Sequence, residues 1–126
     1  MIPLCADQGV GLIPWSPLAR GLLARAGSDQ GTVRADSDGR IGALYTDADN
    51  DRQILDRVAQ VAGERGVPAA QVALSWVLRQ PGVSAPIVGA TKEKHVDDAV
   101  AAVDLALTEK ELAFLAEPYR PRAVAY

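Results

Sequence analysis

The sequence is poor in the side chains that form disulfides and metal sites. Its 126 residues include one cysteine and one histidine. A single cysteine cannot form a disulfide within the chain, and the sequence has neither a cysteine-rich nor a histidine-rich metal motif. We therefore expect no metal site. Cys5 lies in an apolar helical segment, which favours a small buried side chain over a nucleophile.

An excess of basic charge and long apolar runs are also missing. Thirteen lysines and arginines are outnumbered by 16 aspartates and glutamates, which gives a net charge of −3. The chain therefore has no broad basic surface for a nucleic acid, and no nucleic-acid partner is expected. No apolar run reaches the roughly 18 residues of a membrane span, and the first residues lack the basic segment of a signal peptide. These absences predict a cytoplasmic protein that does not enter a membrane.

The composition that remains is typical of a folded domain. Hydrophobic residues make up 48% of the chain and charged residues 23%, which is ordinary for a globular protein. The length fits one domain. We expect a single unit over residues 1–126.

The pattern along the chain predicts an α/β fold. Residues 1–8 resemble the end of a helix that stops at Gly9, and the short apolar runs 10–13 and 85–88 suit buried parallel strands. A long surface loop is predicted over 24–48. Four helices are predicted, over 49–65 with Asp49 or Asn50 as cap, 69–80 after Pro68, 92–103, and 109–115 after a capping box from Thr108 to Glu111.

A glycine-rich turn after the second predicted strand is the first candidate site. Gly89, Ala90 and Thr91 lead into a helix that begins near Lys92. A helix N-terminus and a lysine together suit a phosphate group. The alternative is an ordinary turn capped by Thr91 with a solvated Lys92. His95, one helical turn on, would face the phosphate or simply lie on the surface.

The segment after the first predicted strand is the second candidate. Trp15 could stack on a flat ring, Ser16 offers a hydroxyl, and Gly21 allows close approach to the backbone. Ligands in parallel α/β folds bind at this end of the strands. Taken alone, however, the pattern favours a turn whose tryptophan fills the core. Asp97 and Asp98, neighbours on a helix, are interpreted as a mostly solvated face.

Four segments together resemble the aldo-keto reductase family. Residues 9–23 (GVGLIPWSPLARGLL) resemble its seventh strand and following loop, and residues 86–99 (PIVGATKEKHVDDA) its eighth strand and the start of its eighth helix. Residues 67–78 (VPAAQVALSWVL) resemble the helix between them, and 117–121 (EPYRP) the end of bacterial members. The resemblance covers essentially the whole chain, in order and with natural spacing.

The resemblance implies a partial (β/α)8 barrel, made of the C-terminal two β/α units with a C-terminal helix and tail. A complete barrel needs about 250 residues, so residues 1–126 would be a single incomplete domain. The family reduces aldehydes and ketones with NADPH. The implied cofactor is therefore NADP(H), and the implied partner of the complete enzyme is a small carbonyl substrate.

The resemblance also assigns cofactor-binding residues. Trp15 would stack on the nicotinamide, and Asp98 would contact the adenine, although Ala99 stands where the family often has asparagine. The pyrophosphate would be lined by Ser16, Pro17, Leu18, Gly21 and Leu22. The 2′-phosphate of the adenosine would be surrounded by Gly89, Ala90, Thr91, Lys92 and His95, with Lys92 as its charged partner.

No catalytic residue can be assigned. The family's catalytic Asp, Tyr, Lys and His lie in earlier strands, and Tyr45, Tyr119 and Tyr126 fall in the predicted loop and tail. The resemblance thus implies the cofactor-binding part of a reductase, inactive alone. The alternative is a non-catalytic assembly fragment that forms a homo-oligomer or complements an N-terminal barrel fragment. A third possibility is residual nucleotide binding without chemistry.

Overall fold

Five α-helices make up most of the structure described for residues 1–27, 45 and 47–121 of the computed structural model. They are α1 (Ile2–Asp7), α2 (Ala48–Arg65), α3 (Ala69–Leu78), α4 (Glu93–Asp104) and α5 (Glu109–Ala116). Two short 3-10 turns, Ala19–Gly21 and Leu23–Arg25, follow the first extended segment. Most of the predicted 24–48 loop, and Tyr126, lie outside the described residues.

The two predicted strands are replaced by two extended segments that pair in parallel. Single bridges join Leu12 to Val83 and Trp15 to Ile87. The Leu12 N–H donates to the Gly82 carbonyl, and the Leu12 carbonyl accepts from the Ser84 N–H, both at 2.8 Å. The parallel direction is therefore as predicted, but neither 10–13 nor 85–88 forms a continuous strand.

The predicted burial of these segments is wrong. Val10, Ile13 and Ile87 are exposed. Parallel strands are buried when further strands and helices cover both faces and both edges. Within the described residues each segment has one neighbouring segment, so its apolar side chains remain in contact with solvent.

The start of α2 differs from the prediction, since its cap lies two or three residues before the predicted ones. Its cap is Asp47, whose Oδ1 accepts from the Asn50 N–H at 3.1 Å, rather than Asp49 or Asn50. The Asn50 side chain is buried and donates instead to the Pro118 carbonyl. At its other end α2 stops at Gly66, which is left-handed with a φ of 66°, as expected of a helix C-cap.

The core lies where α2 and α3 meet α5 and the segment before it. It consists of Val58, Val61 and Ala62 from α2, Ala69 and Val72 from α3, and Leu107 and Leu115. The middle of α3 is buried, since Val72, Ala73 and Leu74 are almost fully covered. Pro68 caps α3, which ends at Leu78, two residues before the predicted end.

Hydrogen bonds from α3 tie this core to the C-terminal segments. The Ser75 hydroxyl donates to the Leu105 carbonyl at 2.6 Å, and the Trp76 Nε1–H donates to the Leu112 carbonyl at 3.2 Å. The capping box of α5 forms as predicted between Thr108 and Glu111. Thus α3 is held both by apolar packing and by polar contacts with the residues around α5.

Candidate functional site

The parallel pairing brings the two predicted loops to the same edge of the structure. The bridge between Trp15 and Ile87 places the start of both loops side by side, because parallel segments leave a sheet in the same direction. Loops at this end form the ligand site in parallel α/β folds. The candidate residues of both loops are therefore arranged around one edge.

In the first loop the aromatic side chain is open to solvent. Trp15 is 70% exposed, so the interpretation of this ring as core filling is wrong. Its indole face is free to stack on a flat ligand ring. Pro17, Leu18 and Leu22 behind it are half-buried.

The backbone of this loop is tightly wound. Ser16, Ala19 and Arg20 have φ values of 53°, 49° and 55°, and Gly21 has 93°. Left-handed conformations of residues with a side chain each cost on the order of 1 kcal/mol and are concentrated at ligand sites. The Gly21 N–H donates to the Leu18 carbonyl at 2.8 Å, and the Arg20 N–H donates to Ser16 Oγ at 3.3 Å.

Some polar groups of this loop are left available to a ligand. The N–H group of Leu18 donates to no acceptor within the described residues. The Ser16 hydroxyl accepts one hydrogen bond and keeps its own proton to donate. The loop therefore offers two donors to an anion, the Leu18 N–H and the Ser16 hydroxyl.

The second loop leads into a helix whose N-terminus has no side-chain capping hydrogen bond. Gly89, Ala90, Thr91 and Lys92 are exposed, and α4 begins at Glu93 with Lys92 as a cap whose side chain forms no capping hydrogen bond. The predicted alternative of a Thr91 cap is wrong, because Lys92 occupies the N-cap position; the Thr91 N–H donates to His95 Nδ1 at 3.4 Å. The N–H groups of Glu93 and Lys94 have no acceptor within the described residues. They and the Lys92 ammonium form a positive end that suits a phosphate.

Asp98 is held more firmly than a solvated carboxylate. Its side chain is 13% exposed, and Oδ1 accepts from Gln71 Nε2 at 2.9 Å while Oδ2 accepts from Lys94 Nζ at 3.1 Å. Burial raises the pKa of Asp98, but the hydrogen bonds from Gln71 and Lys94 outweigh it and lower the pKa overall. The interpretation of Asp98 as part of a solvated face is therefore wrong, whereas Asp97 is exposed.

Gln71 was not anticipated from the sequence. It lies on α3, 27 residues from Asp98, and no short motif links the two positions. Only the packing of α3 against α4 brings its amide to the carboxylate. His95 lies one turn before Asp98 on α4 and is exposed. Its Nδ1 accepts the hydrogen bond from the Thr91 N–H.

These residues fit a flat, phosphate-bearing cofactor. A ring can stack on Trp15, and free N–H groups and Lys92 can receive phosphates. A Cβ added at Gly89 would meet no atom within 4 Å, so the turn has open space in front of it. Among the described residues no group of three His, Cys, Asp or Glu side chains could hold a metal ion, and no described helix is long and apolar enough to cross a membrane.

Comparisons with known proteins agree on one family. The model of the aldo/keto reductase family matches residues 1–119. The versiconal hemiacetal acetate reductase of Aspergillus parasiticus is 44% identical over an alignment of 126 positions, which covers 98% of this chain and 36% of that protein. A putative aryl-alcohol dehydrogenase of Schizosaccharomyces pombe is 44% identical over 122 residues, covering 96% of this chain and 34% of the relative.

A solved structure shows the same fold. The glycerol dehydrogenase of Gluconobacter oxydans superposes with a TM-score of 0.70 at 22% identity, over 94% of this chain and 36% of that one. The chain thus spans about a third of the length of the curated relatives that it matches. A partial barrel accounts for this coverage, although most of the described residues are helical.

Proposed function

The chain belongs to the aldo/keto reductase family, and on this premise we propose that it is the cofactor-binding, C-terminal part of an NADPH-dependent reductase. Residues 1–126 would form a single incomplete barrel domain in the cytoplasm. In the complete enzyme a small aldehyde or ketone would be reduced by the hydride that bound NADPH supplies. The observation that carries the proposal is the placement of both loops at one edge by the Trp15–Ile87 bridge.

The residues of the first loop would orient the nicotinamide half of the cofactor. Trp15 offers an exposed ring for stacking. The pyrophosphate would lie against the half-buried wall of Ser16, Pro17, Leu18, Gly21 and Leu22. The Leu18 N–H and the Ser16 hydroxyl would donate to its oxygens in charge-assisted hydrogen bonds, which are stronger than those between neutral groups.

The residues of the second loop would bind the adenosine end. Gly89, Ala90, Thr91, Lys92 and His95 would surround the 2′-phosphate, with Lys92 as its counter-ion. Asp98 would accept a hydrogen bond from the adenine amine. The hydrogen bonds from Gln71 and Lys94, which lower the pKa of Asp98, stabilise the carboxylate form that accepts this bond.

We propose that the isolated chain has no reductase activity. The family's proton donor and its orienting partners cannot be assigned to any residue of this sequence. The purified chain, mixed with NADPH and an aromatic aldehyde, is expected to leave the NADPH absorbance constant. Turnover that follows this polypeptide through purification would contradict the proposal.

Cofactor binding is tested separately from turnover. Half of the pocket would come from residues outside this chain, so binding by the chain alone should be weak. NMR titration with NADP⁺ should shift the resonances of Trp15 and of the 89–95 segment before those of α5. Shifts confined to α5, or none at millimolar NADP⁺, would contradict the proposed site.

A second candidate function is assembly. Met1, Ile2, Leu4, Val10, Ile13 and Ile87 are exposed large apolar side chains, and surfaces of this kind mark interaction sites. The chain would then form a homo-oligomer or complement an N-terminal barrel fragment. Light scattering gives the oligomeric state and so distinguishes the two functions. A monomer that also unfolds in a sharp thermal transition would contradict assembly.

A further inference from the structure

One lysine side chain of α4 is not among the proposed cofactor contacts. Lys94 Nζ lies 3.1 Å from Asp98 Oδ2 and 3.3 Å from Asp98 Oδ1. The Lys94 side chain is 71% exposed, whereas the Asp98 side chain is 13% exposed. In this ion pair the carboxylate is therefore held by its surroundings, and the lysine is the partner that is able to move.

The carboxylate does not depend on Lys94 for its position. Gln71 lies on α3, which packs against α4, and its Nε2 donates to Asp98 Oδ1 at 2.9 Å. An ionised carboxylate accepts about four hydrogen bonds. When the lysine leaves, Asp98 therefore stays in place through Gln71 and keeps Oδ2 as an acceptor for another donor.

The ion pair runs in the weaker of the two directions that a helix allows. Lys94 precedes Asp98 by four residues, whereas the more stabilising order places the acidic residue first. Lys94 also lies in the first turn of α4, where the positive end of the helix dipole disfavours a cation. An exposed ion pair changes an equilibrium by at most about fivefold even in a favourable arrangement. Breaking this pair therefore costs little.

A phosphate group at the start of α4 would make the same position favourable for the lysine. A phosphate monoester carries between about 1.5 and 2 negative charges at neutral pH, which is more than one carboxylate carries. The Cα–Cβ bond of a helical residue is tilted towards the N-terminus of the helix. The flexible four-carbon stem of Lys94 therefore leads to that end of α4 at least as readily as it leads to Asp98.

We propose that Lys94 is a second counter-ion of the 2′-phosphate, which it reaches by leaving Asp98 when the adenine amine takes its place. This inference rests on the proposed cofactor site and deepens it. In the exchange the adenine N–H donates to Asp98 Oδ2, and the Lys94 ammonium donates to a phosphate oxygen. One lysine thus couples recognition of the base to recognition of the phosphate.

The test uses two nucleotides that differ only in the 2′-phosphate, adenosine 2′,5′-bisphosphate and adenosine 5′-monophosphate. Both are titrated into the full chain, and the shifts of the amide resonances of 89–95 give the two dissociation constants. We expect Lys94→Met to lower the preference for the bisphosphate by about threefold or more, since one charge-assisted contact is lost. Lys110→Met, which removes an exposed lysine of α5, is the matched control and should leave the preference unchanged.

A second variant separates the exchange from the general effect of charge. Asp98→Asn keeps the size of the side chain and an acceptor for the Gln71 amide, but it removes the charge that holds Lys94. Its preference for the bisphosphate should therefore rise, because the lysine no longer has to leave a carboxylate. Lys94→Met should then lower the preference by a larger factor in the Asp98→Asn background than in the unsubstituted chain.

The outcomes distinguish this inference from the site on which it rests. An unchanged preference in Lys94→Met, or an equal loss in Lys110→Met, would overturn the role of Lys94 and leave the cofactor site standing. Equal factors for Lys94→Met in the two backgrounds would overturn the exchange, because the lysine would then act independently of Asp98. Neither nucleotide shifting the 89–95 resonances would refute the cofactor site, and this inference with it.

Discussion

Arg65, the last residue of α2, and Glu111, in the first turn of α5, form a two-point ion pair. Arg65 Nε lies 2.6 Å from Glu111 Oε1, and Nη2 lies 2.5 Å from Oε2. Oε2 also accepts from the N–H and the hydroxyl of Thr108 at 2.7 Å. One carboxylate therefore caps α5 and fixes it to the end of α2.

Glu111→Gln should make the stability of the chain less dependent on pH. The hydrogen bond from Arg65, followed by those from Thr108, outweighs burial and lowers the pKa of Glu111 to about 2. A lowered pKa contributes stability that is complete above the unfolded value of 4.5 and is lost as the pH falls towards 2.

Urea unfolding of the unsubstituted chain and of Glu111→Gln, at about pH 7 and about pH 3, measures how the stability of each depends on pH. The difference in unfolding free energy should be about 1 kcal/mol at neutral pH and smaller in acid. Glu109→Gln, on the same helical turn, is the control and should show little difference. An equal loss at both pH values would contradict the assignment.

Asp47→Ala should destabilise the chain by about 1 kcal/mol, the usual cost of removing a helix cap. The carboxylate of Asp47 accepts from the Asn50 N–H, and no other side chain of the described residues caps α2. Thermal unfolding followed by circular dichroism gives the change. Asp56→Ala, exposed in the middle of the same helix, should have a much smaller effect. A larger loss for Asp49→Ala than for Asp47→Ala would show that the cap is misplaced.

Substitution by alanine should change the stability of the chain in opposite directions at two glycines, Gly63 within α2 and Gly66 at its end. Gly63 lies inside α2, where an added Cβ meets no atom within 4 Å, so Gly63→Ala should stabilise by about 0.5–1 kcal/mol. Gly66 has a φ of 66°, which an L-residue adopts at a cost, so Gly66→Ala should destabilise by about 1 kcal/mol. Chemical denaturation measures both, and changes of the same sign would refute the left-handed cap.

Lys92→Ala should reduce binding of NADP⁺ more than binding of NAD⁺. The only difference between these nucleotides is the 2′-phosphate, and Lys92 is proposed as its counter-ion at the start of α4. Loss of one charge-assisted contact corresponds to about tenfold in affinity. NMR titration of both nucleotides measures the ratio. Lys110→Ala removes an exposed lysine of α5 as a control, and an equal effect of the two variants would contradict the role of Lys92.

Gln71→Leu should raise the pKa of Asp98. The amide of Gln71 donates to the carboxylate at 2.9 Å, and without it burial still opposes the charged form. The carboxyl ¹³C chemical shift of Asp98, followed with pH, reports the change. Gln60→Leu, an exposed position on α2, is the control. An unchanged titration of Asp98 would show that the hydrogen bond from the Gln71 amide does not stabilise its carboxylate.

The features that the sequence predicted correctly depend on neighbouring residues. The left-handed stop at Gly66 and the capping box from Thr108 to Glu111 are decided within one helical turn. The parallel direction of the extended segments follows from the helices that connect them. The predicted loop positions of Trp15 and Lys92 follow from the same order of elements.

The features that the sequence missed depend on residues far apart in the chain. Asp49 and Asn50 are as good helix caps as Asp47 by composition, but the Pro118 carbonyl engages the Asn50 side chain from 68 residues away. Trp15 has the size and apolarity of a core residue, yet its side chain is 70% exposed.

The sequence by itself therefore determined the family resemblance, the helices and the order of the two candidate loops, because turn chemistry and hydrophobic periodicity act over a few residues. The tertiary structure decided which polar groups meet, as in the bond between Gln71 and Asp98, and which apolar faces stay open, as along Val96, Val100 and Val103. Both depend on how helices pack in three dimensions, and burial is a property of that packing rather than of any residue's own composition.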